Sequence, residues 1–271
     1  GGETIETIDG VQVARDDVSN ELESLRDIEN VPEKVADYIM SVKAANCANE
    51  TPGYNQKPSD YITDPFIYAQ YVYAGEWTCL DWSNKWQKTV DAVTPMTYSD
   101  KTEKGWNCAV ISTTNLIKFC ANKYNIMRIR NVSSLSVYNT IRDIGGYYNI
   151  NSGISGIYLK SYVEKCLNEY DINATVNEYE TPGVPLHLNK ISRVISTFKA
   201  DNKIMLVYFT EPANSPYRNH TTLGYAYTRL PNGTASGQHT FVKLCDVKSK
   251  DARYVEASAM NDSAFFLEVC F

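Results

Sequence analysis

A thiol becomes a strong nucleophile when its proton is removed, and the N-terminus of a helix is a backbone device that favours the resulting anion. Cys108 stands at such a place in the sequence. Gly105-Trp106-Asn107-Cys108 reads as a turn, and Leu116, Ile117, Cys120 and Tyr124 then recur on one apolar face of a helix. The spacing predicts Cys108 in the first helical turn, among backbone N–H groups without an intrahelical partner. A thiolate held there attacks carbonyl carbon and forms a thioester. The competing role for a cysteine at such a position is that of a small buried packing residue.

Thioester chemistry needs a base to take the thiol proton and a group to orient that base. The chain offers three histidines. His187 lies in a Pro-bounded turn, His239 enters a strand, and His220 opens the strand Asn219-His220-Thr221-Thr222-Leu223-Gly224-Tyr225-Ala226-Tyr227. Asp246 closes the following strand, in Lys243-Leu244-Cys245-Asp246. In an antiparallel pair the start of one strand lies beside the end of the next, so His220 and Asp246 are expected side by side. Cys108, His220 and Asp246 are thus candidates for nucleophile, base and orienter, the competing roles being a surface strand residue for His220 and a turn residue for Asp246. His239 is the reserve base should His220 prove remote. Candidate donors to a developing oxyanion are the Cys108 backbone N–H and the Asn107 side chain.

These residues must be carried by two kinds of element. After the Cys108 helix, a second helix capped by Ser133 or Ser134 carries Leu135, Tyr138 and Ile141 and closes near Gly145-Gly146. A third follows Gly156 with Leu159, Val163, Cys166 and Leu167. Ala174–Glu180 alternates as a strand, Pro182–Pro185 turns, and Leu188, Ile191, Ile195 and Phe198 mark another helix. From residue 203 the period is that of strands: Lys203–Thr210, Asn219–Leu230, Thr240–Val247, Ala252–Ala257 and Ser263–Phe271, with a turn at Pro231-Asn232-Gly233. A helical half followed by an antiparallel half is an α+β chain.

The N-terminal part is different. Thr4–Ile8 and Val11–Val13 flank Asp9-Gly10 as a small hairpin. Two short amphipathic helices are expected over Val18–Leu25 and Val35–Val42, the second entered through Asn30 and Pro32. Asn46–Tyr61 is rich in Asn, Pro, Gly and Ser and reads as a linker. Phe66, Tyr68, Tyr71, Tyr73, Trp77, Trp82 and Trp86 follow without period, as in a segment wrapped over a larger core. This divides the chain into an extension over 1–60, an aromatic wrapping segment over 61–97 and a core domain over 98–271.

Composition narrows the function classes. With net charge −6 and no basic patch, the chain is not expected to bind nucleic acid or an anionic membrane surface. No apolar run approaches membrane-spanning length. No signal-peptide pattern is read, and the chain opens Gly1-Gly2, as a trimmed end does. Seven cysteines cannot all pair internally. They stand singly, with no Cys-x-x-Cys or His-x-x-x-His spacing, so no metal site is expected. Twenty tyrosines against three histidines suit a secreted or cell-surface protein.

Asn107-Cys108 at a helix start, a later strand opening on His220 and a strand ending in Asp246 together resemble the papain-like cysteine peptidases. The likeness is nearest to the bacterial branch similar to bacteriocin-processing peptidases, and it covers roughly residues 98–271. The resemblance implies a helical subdomain against an antiparallel sheet or barrel, with the cleft between them. It implies a Cys108-His220-Asp246 triad that cleaves peptide bonds without metal or organic cofactor, on a peptide or protein substrate. Tyr227 falls on the family's strand tyrosine. Ala109 and Ala226 replace common glycines, and Thr102 stands six residues before the cysteine, where the family carries its oxyanion glutamine. Related chemistries open to such a triad are amidase or transglutaminase-like acyl transfer. A papain-like shell that only binds, as an adhesion module does, is the reading without chemistry. The family's zymogens imply that residues 1–60 are a removable pro-segment.

Overall fold

The computed structural model describes residues 5–8, 11–14, 61–73, 81–101, 107–145, 154, 156–179, 189–209, 216–217, 219–231, 238–257 and 264–271. The short helices expected before residue 46, the Asn46–Tyr61 linker up to residue 60, the Pro182–Pro185 turn, His187 and Thr102 lie outside them. β1 (Ile5–Ile8) and β2 (Val11–Ala14) pair antiparallel, Ile5 against Ala14 and Ile8 against Val11, as the Asp9-Gly10 spacing predicts.

The described residues build an antiparallel sheet of seven strands, six of them from the C-terminal half. These are β3 (Asp81–Ser83), β4 (Thr175–Tyr179), β5 (Lys203–Phe209), β6 (His220–Pro231), β7 (Gln238–Cys245), β8 (Arg253–Glu256) and β9 (Ala264–Cys270). Their order is β4-β9-β5-β6-β7-β8, with β3 paired to the far half of β6 through Ser83–Tyr227 and Asp81–Arg229. The C-terminal strand is thus not an edge: β9 enters between β4 and β5 and bonds to both. β5 and β9 alternate between two cores. Ile204, Leu206, Phe265, Leu267 and Val269 face one, while Met205, Val207, Phe209 and Phe266 face the other. Strands covered on both faces read as continuous apolar runs, which is why Lys203–Phe209 carries no polar alternation.

The first core lies between the sheet and a helical layer of α3 (Cys108–Lys123), α4 (Met127–Arg130), α5 (Ser134–Gly145) and α6 (Gly156–Glu169). The second lies under α7 (Asn189–Lys199), through Val194 and Phe198. A third cluster joins α1 (Pro65–Val72) to the far end of the sheet, where Ile62, Phe66, Tyr68 and Ala69 pack on Leu230, Phe241 and Tyr254. Asp64 caps α1 by accepting from the Phe66 and Ile67 N–H groups. Trp86, just before α2 (Gln87–Asp91), is fully buried and donates its indole N–H to the Lys203 carbonyl at 2.6 Å. Within the aromatic segment, Phe66, Tyr68 and Trp86 therefore serve packing.

α3 differs from its expected amphipathic form. Every residue from Cys108 to Ala121 is buried, and Tyr124, assigned to the apolar face, is 41% exposed beyond the helix end. A helix buried all round must satisfy its polar side chains internally. Thr113 and Thr114 donate to the carbonyls four residues back, and Lys118 donates to the Ile129, Arg130 and Val132 carbonyls. Asn115 exchanges two hydrogen bonds with the Met96 backbone, and Ser112 donates to the Thr221 carbonyl at 3.0 Å. The last two bonds fix the helix to the segment before it and to the opening of β6. No helix among the described residues is long and apolar enough to cross a membrane.

Candidate active site

Cys108 is the first residue of α3, and the Asn107 carbonyl accepts from the Ile111 N–H to start the helix. Cys108 is 7% exposed, and its thiol lies beside the His220 imidazole, the Thr221 backbone and the Tyr98 hydroxyl. Burial pushes the thiol pKa up. The hydrogen bond and charge of His220, with the Thr221 and Tyr98 contacts, outweigh burial and hold it below the ordinary thiol value. The other described cysteines lack this set. Burial drives Cys120 and Cys166 up to about 12, and Cys245 higher.

His220 opens β6 beside the end of β7, where Leu223 pairs with Cys245. Just beyond, the ladder shifts by one residue between Gly224 and Ala226. Gly224 lies against Val242 and Phe198, at 3.0 and 3.2 Å from where a Cβ would stand. Asn219, immediately before the histidine, takes a left-handed φ of 45°. The imidazole lies between two tyrosines: Tyr217 stacks on it at 5.4 Å and 7°, and Tyr98 approaches at 6.4 Å and 48°. Its Nε2 is 2.8 Å from the Asp246 backbone carbonyl. That acceptor fixes the tautomer with the proton on Nε2 and leaves Nδ1 as the nitrogen for the thiol.

Asp246 therefore meets His220 as expected, but through its backbone. Its carboxylate, fully buried, accepts from Arg253 at 2.7 Å and Tyr217 at 3.1 Å on one oxygen, and from the Lys248 and Ser249 N–H groups on the other. This Asx turn sets the backbone, and Val247 completes it at a φ of 60°. A β-branched residue in the left-handed region costs about 1–3 kcal/mol and persists where surrounding contacts over-determine it. Here the strained turn aims one carbonyl at His220 and the next at the Tyr98 N–H, 2.9 Å away.

Asn107, the expected side-chain donor, gives its amide N–H to the Tyr138 hydroxyl at 2.7 Å. His239 lies opposite Leu230 at the far end of the ladder from His220. Four contributors escape a reading of the sequence: Tyr98, Tyr217, Arg253 and the Thr221 N–H. Asp246 and Arg253 flank a short turn as opposite charges at adjoining strand ends, which is a legible signal. Tyr98, ten residues before the cysteine, carries none.

Among the described residues no cluster of metal-ligating side chains could hold an ion. In comparisons with known proteins, no family model, curated protein or solved structure matches this chain.

Proposed function

We propose that the chain is a cysteine peptidase of papain-like architecture, with Cys108 as nucleophile and His220 as base and acid. The observation that carries the reading is a buried thiol at a helix N-terminus, beside an imidazole whose far nitrogen is braced on a backbone carbonyl. In this mechanism Nδ1 of His220 takes the Cys108 proton, and the thiolate adds to the carbonyl carbon of a peptide bond. The tetrahedral adduct collapses as the C–N bond breaks and His220 returns the proton to the leaving amine. Water, deprotonated by His220, then adds to the thioester and releases the acid and the thiol. Asp246 orients His220 from its main chain. Its carboxylate maintains that main chain through Arg253 and the Asx turn. A secreted or surface location and removal of residues 1–60 belong to the same proposal.

The test is incubation of wild type and Cys108→Ala with a diverse peptide mixture, read by mass spectrometry. New amino termini with the wild type alone support a peptidase. New amide bonds point to acyl transfer. An inert wild type whose Cys108 is not selectively alkylated removes the catalytic reading.

A further inference from the structure

The thioester mechanism builds negative charge on the carbonyl oxygen, and removing one donor to that oxygen typically costs 10²–10³ in rate. The family's glutamine is absent from the sequence position that would supply it, and the Asn107 amide donates elsewhere. A hydroxyl, however, already stands at the reacting sulfur. Resting on the peptidase reading, we infer that Tyr98 is a catalytic residue whose phenolic O–H donates to the oxyanion of the tetrahedral intermediate.

Four observations converge on Tyr98. Its hydroxyl oxygen is buried beside the Cys108 thiol, and its ring packs against the His220 imidazole with centroids 6.4 Å apart. The oxyanion forms on the carbon attached to that sulfur, one bond beyond the atom the phenol lies beside. The residue is also rigidly held. Its N–H donates to the Val247 carbonyl, and Thr97 and Asp100 close a capping box around its turn. Lys250 bonds Asp100 at 2.9 Å, and Met96, two residues earlier, is clamped to Asn115 of α3. The turn is thus tied both to the helix that carries the nucleophile and to the loop that orients the base, which is the preorganisation such a donor needs. Finally, burial and the nearby Cys108 and Asp246 charges push the phenol far above its ordinary pKa. It therefore keeps its proton and acts as donor while the thiolate attacks. No proton is transferred from it. The carbonyl π pair moves to oxygen as the S–C bond forms, Tyr98 O–H bonds that oxygen, and the pair returns as the C–N bond breaks.

Tyr98→Phe tests this against a role that merely lowers the thiol pKa. Two reagents attack the same sulfur. Iodoacetamide displaces iodide at a saturated carbon and makes no oxyanion. A peptidyl aldehyde, its sequence taken from the best peptide cleaved, forms a tetrahedral adduct with one. Because both report on the same folded fraction, their ratio is insensitive to lost folding. The inference expects Tyr98→Phe to lower kcat/KM and aldehyde affinity each by about 10²–10³. Alkylation should change by less than about tenfold, since a weaker hydrogen bond raises both the thiol pKa and its intrinsic nucleophilicity. Equal losses with both reagents, unchanged turnover, or a gain in turnover overturn it. A wild type that neither cleaves peptides nor binds aldehydes overturns the peptidase reading and this inference with it. A wild type that does both while Tyr98→Phe matches it overturns this inference alone.

Discussion

The β6–β7 ladder carries a histidine bonded to an acidic residue at each end, and the two differ in everything that matters for chemistry. At one end His220 stacks on Tyr217, bonds the Asp246 carbonyl through Nε2 and lies beside a thiol. At the other, His239 stacks on Tyr73 at 3.9 Å and bonds Glu256, whose second oxygen accepts from the Tyr73 hydroxyl at 2.6 Å. His239 pairs with Leu230, ten residues along β6 from His220, or about 30 Å of strand. The second cluster clamps α1 and its flanking residues to the sheet, beside the packing of Phe66 and Tyr68 on Phe241 and Leu230. A carboxylate next to a histidine is thus a fastening in one place and the support of a candidate base in the other. A cysteine delivered by a helix from outside the sheet, the candidate nucleophile, makes the difference.

Substituting the two histidines separately gives the largest expected contrast. His220→Ala should lower peptide turnover by about 10²–10⁴, as loss of a general base does, with Cys108→Ala abolishing it. His239→Ala should leave turnover unchanged. Equal losses at both positions, measured as kcat/KM on one peptide, would break the comparison.

Thiol reactivity sharpens it next. A pKa of about 12 leaves roughly one part in 10⁵ of Cys120 or Cys166 as thiolate at neutral pH, whereas an ordinary thiol, at about 8.5, leaves a few parts in 10², and Cys108 is held below the ordinary value. Iodoacetamide should therefore modify Cys108 more than about 10³ times faster, as read by peptide mass spectrometry. The sign with pH follows: the thiolate is stabilised in the folded chain, so Cys108 alkylation should persist to lower pH than that of a free thiol. A profile that falls with the free thiol would deny His220 its effect.

Asp246 separates backbone from carboxylate. Because His220 bonds the carbonyl, Asp246→Asn keeps the acceptor and should cost about tenfold or less in kcat, against roughly 10⁴ where an orienting carboxylate is itself replaced. Asp246→Ala also removes the Asx turn and the Arg253 partner, and should lower stability by about 1.5–3 kcal/mol in a denaturant titration. The smallest effect belongs to the distal cluster. Glu256→Gln should lower stability by about 1–3 kcal/mol, a shift of a few degrees in Tm, with turnover intact.

Local pattern carried much of this molecule. The helix start at Cys108, the stripe of α6 and the five C-terminal strands follow from local pattern, which depends on neighbours in the chain; of the α5 stripe Tyr138 and Ile141 are buried, while Leu135 is 37% exposed. The expectation that His220 would reach Asp246 rested on antiparallel geometry and held because β6 and β7 are consecutive and adjacent. What period and turn chemistry could not supply are contacts between distant segments. The insertion of β9 between β4 and β5, the burial of every face of α3, and the meeting of Tyr98 with Cys108 each depend on packing across the fold. So does the choice of the Asp246 carbonyl over its carboxylate. A sequence names the side chain at a position, but the direction of its backbone carbonyl is set by φ and ψ. Here those are fixed by a strained turn at Val247 and by Arg253, Tyr217, Lys248 and Ser249 closing around one carboxylate.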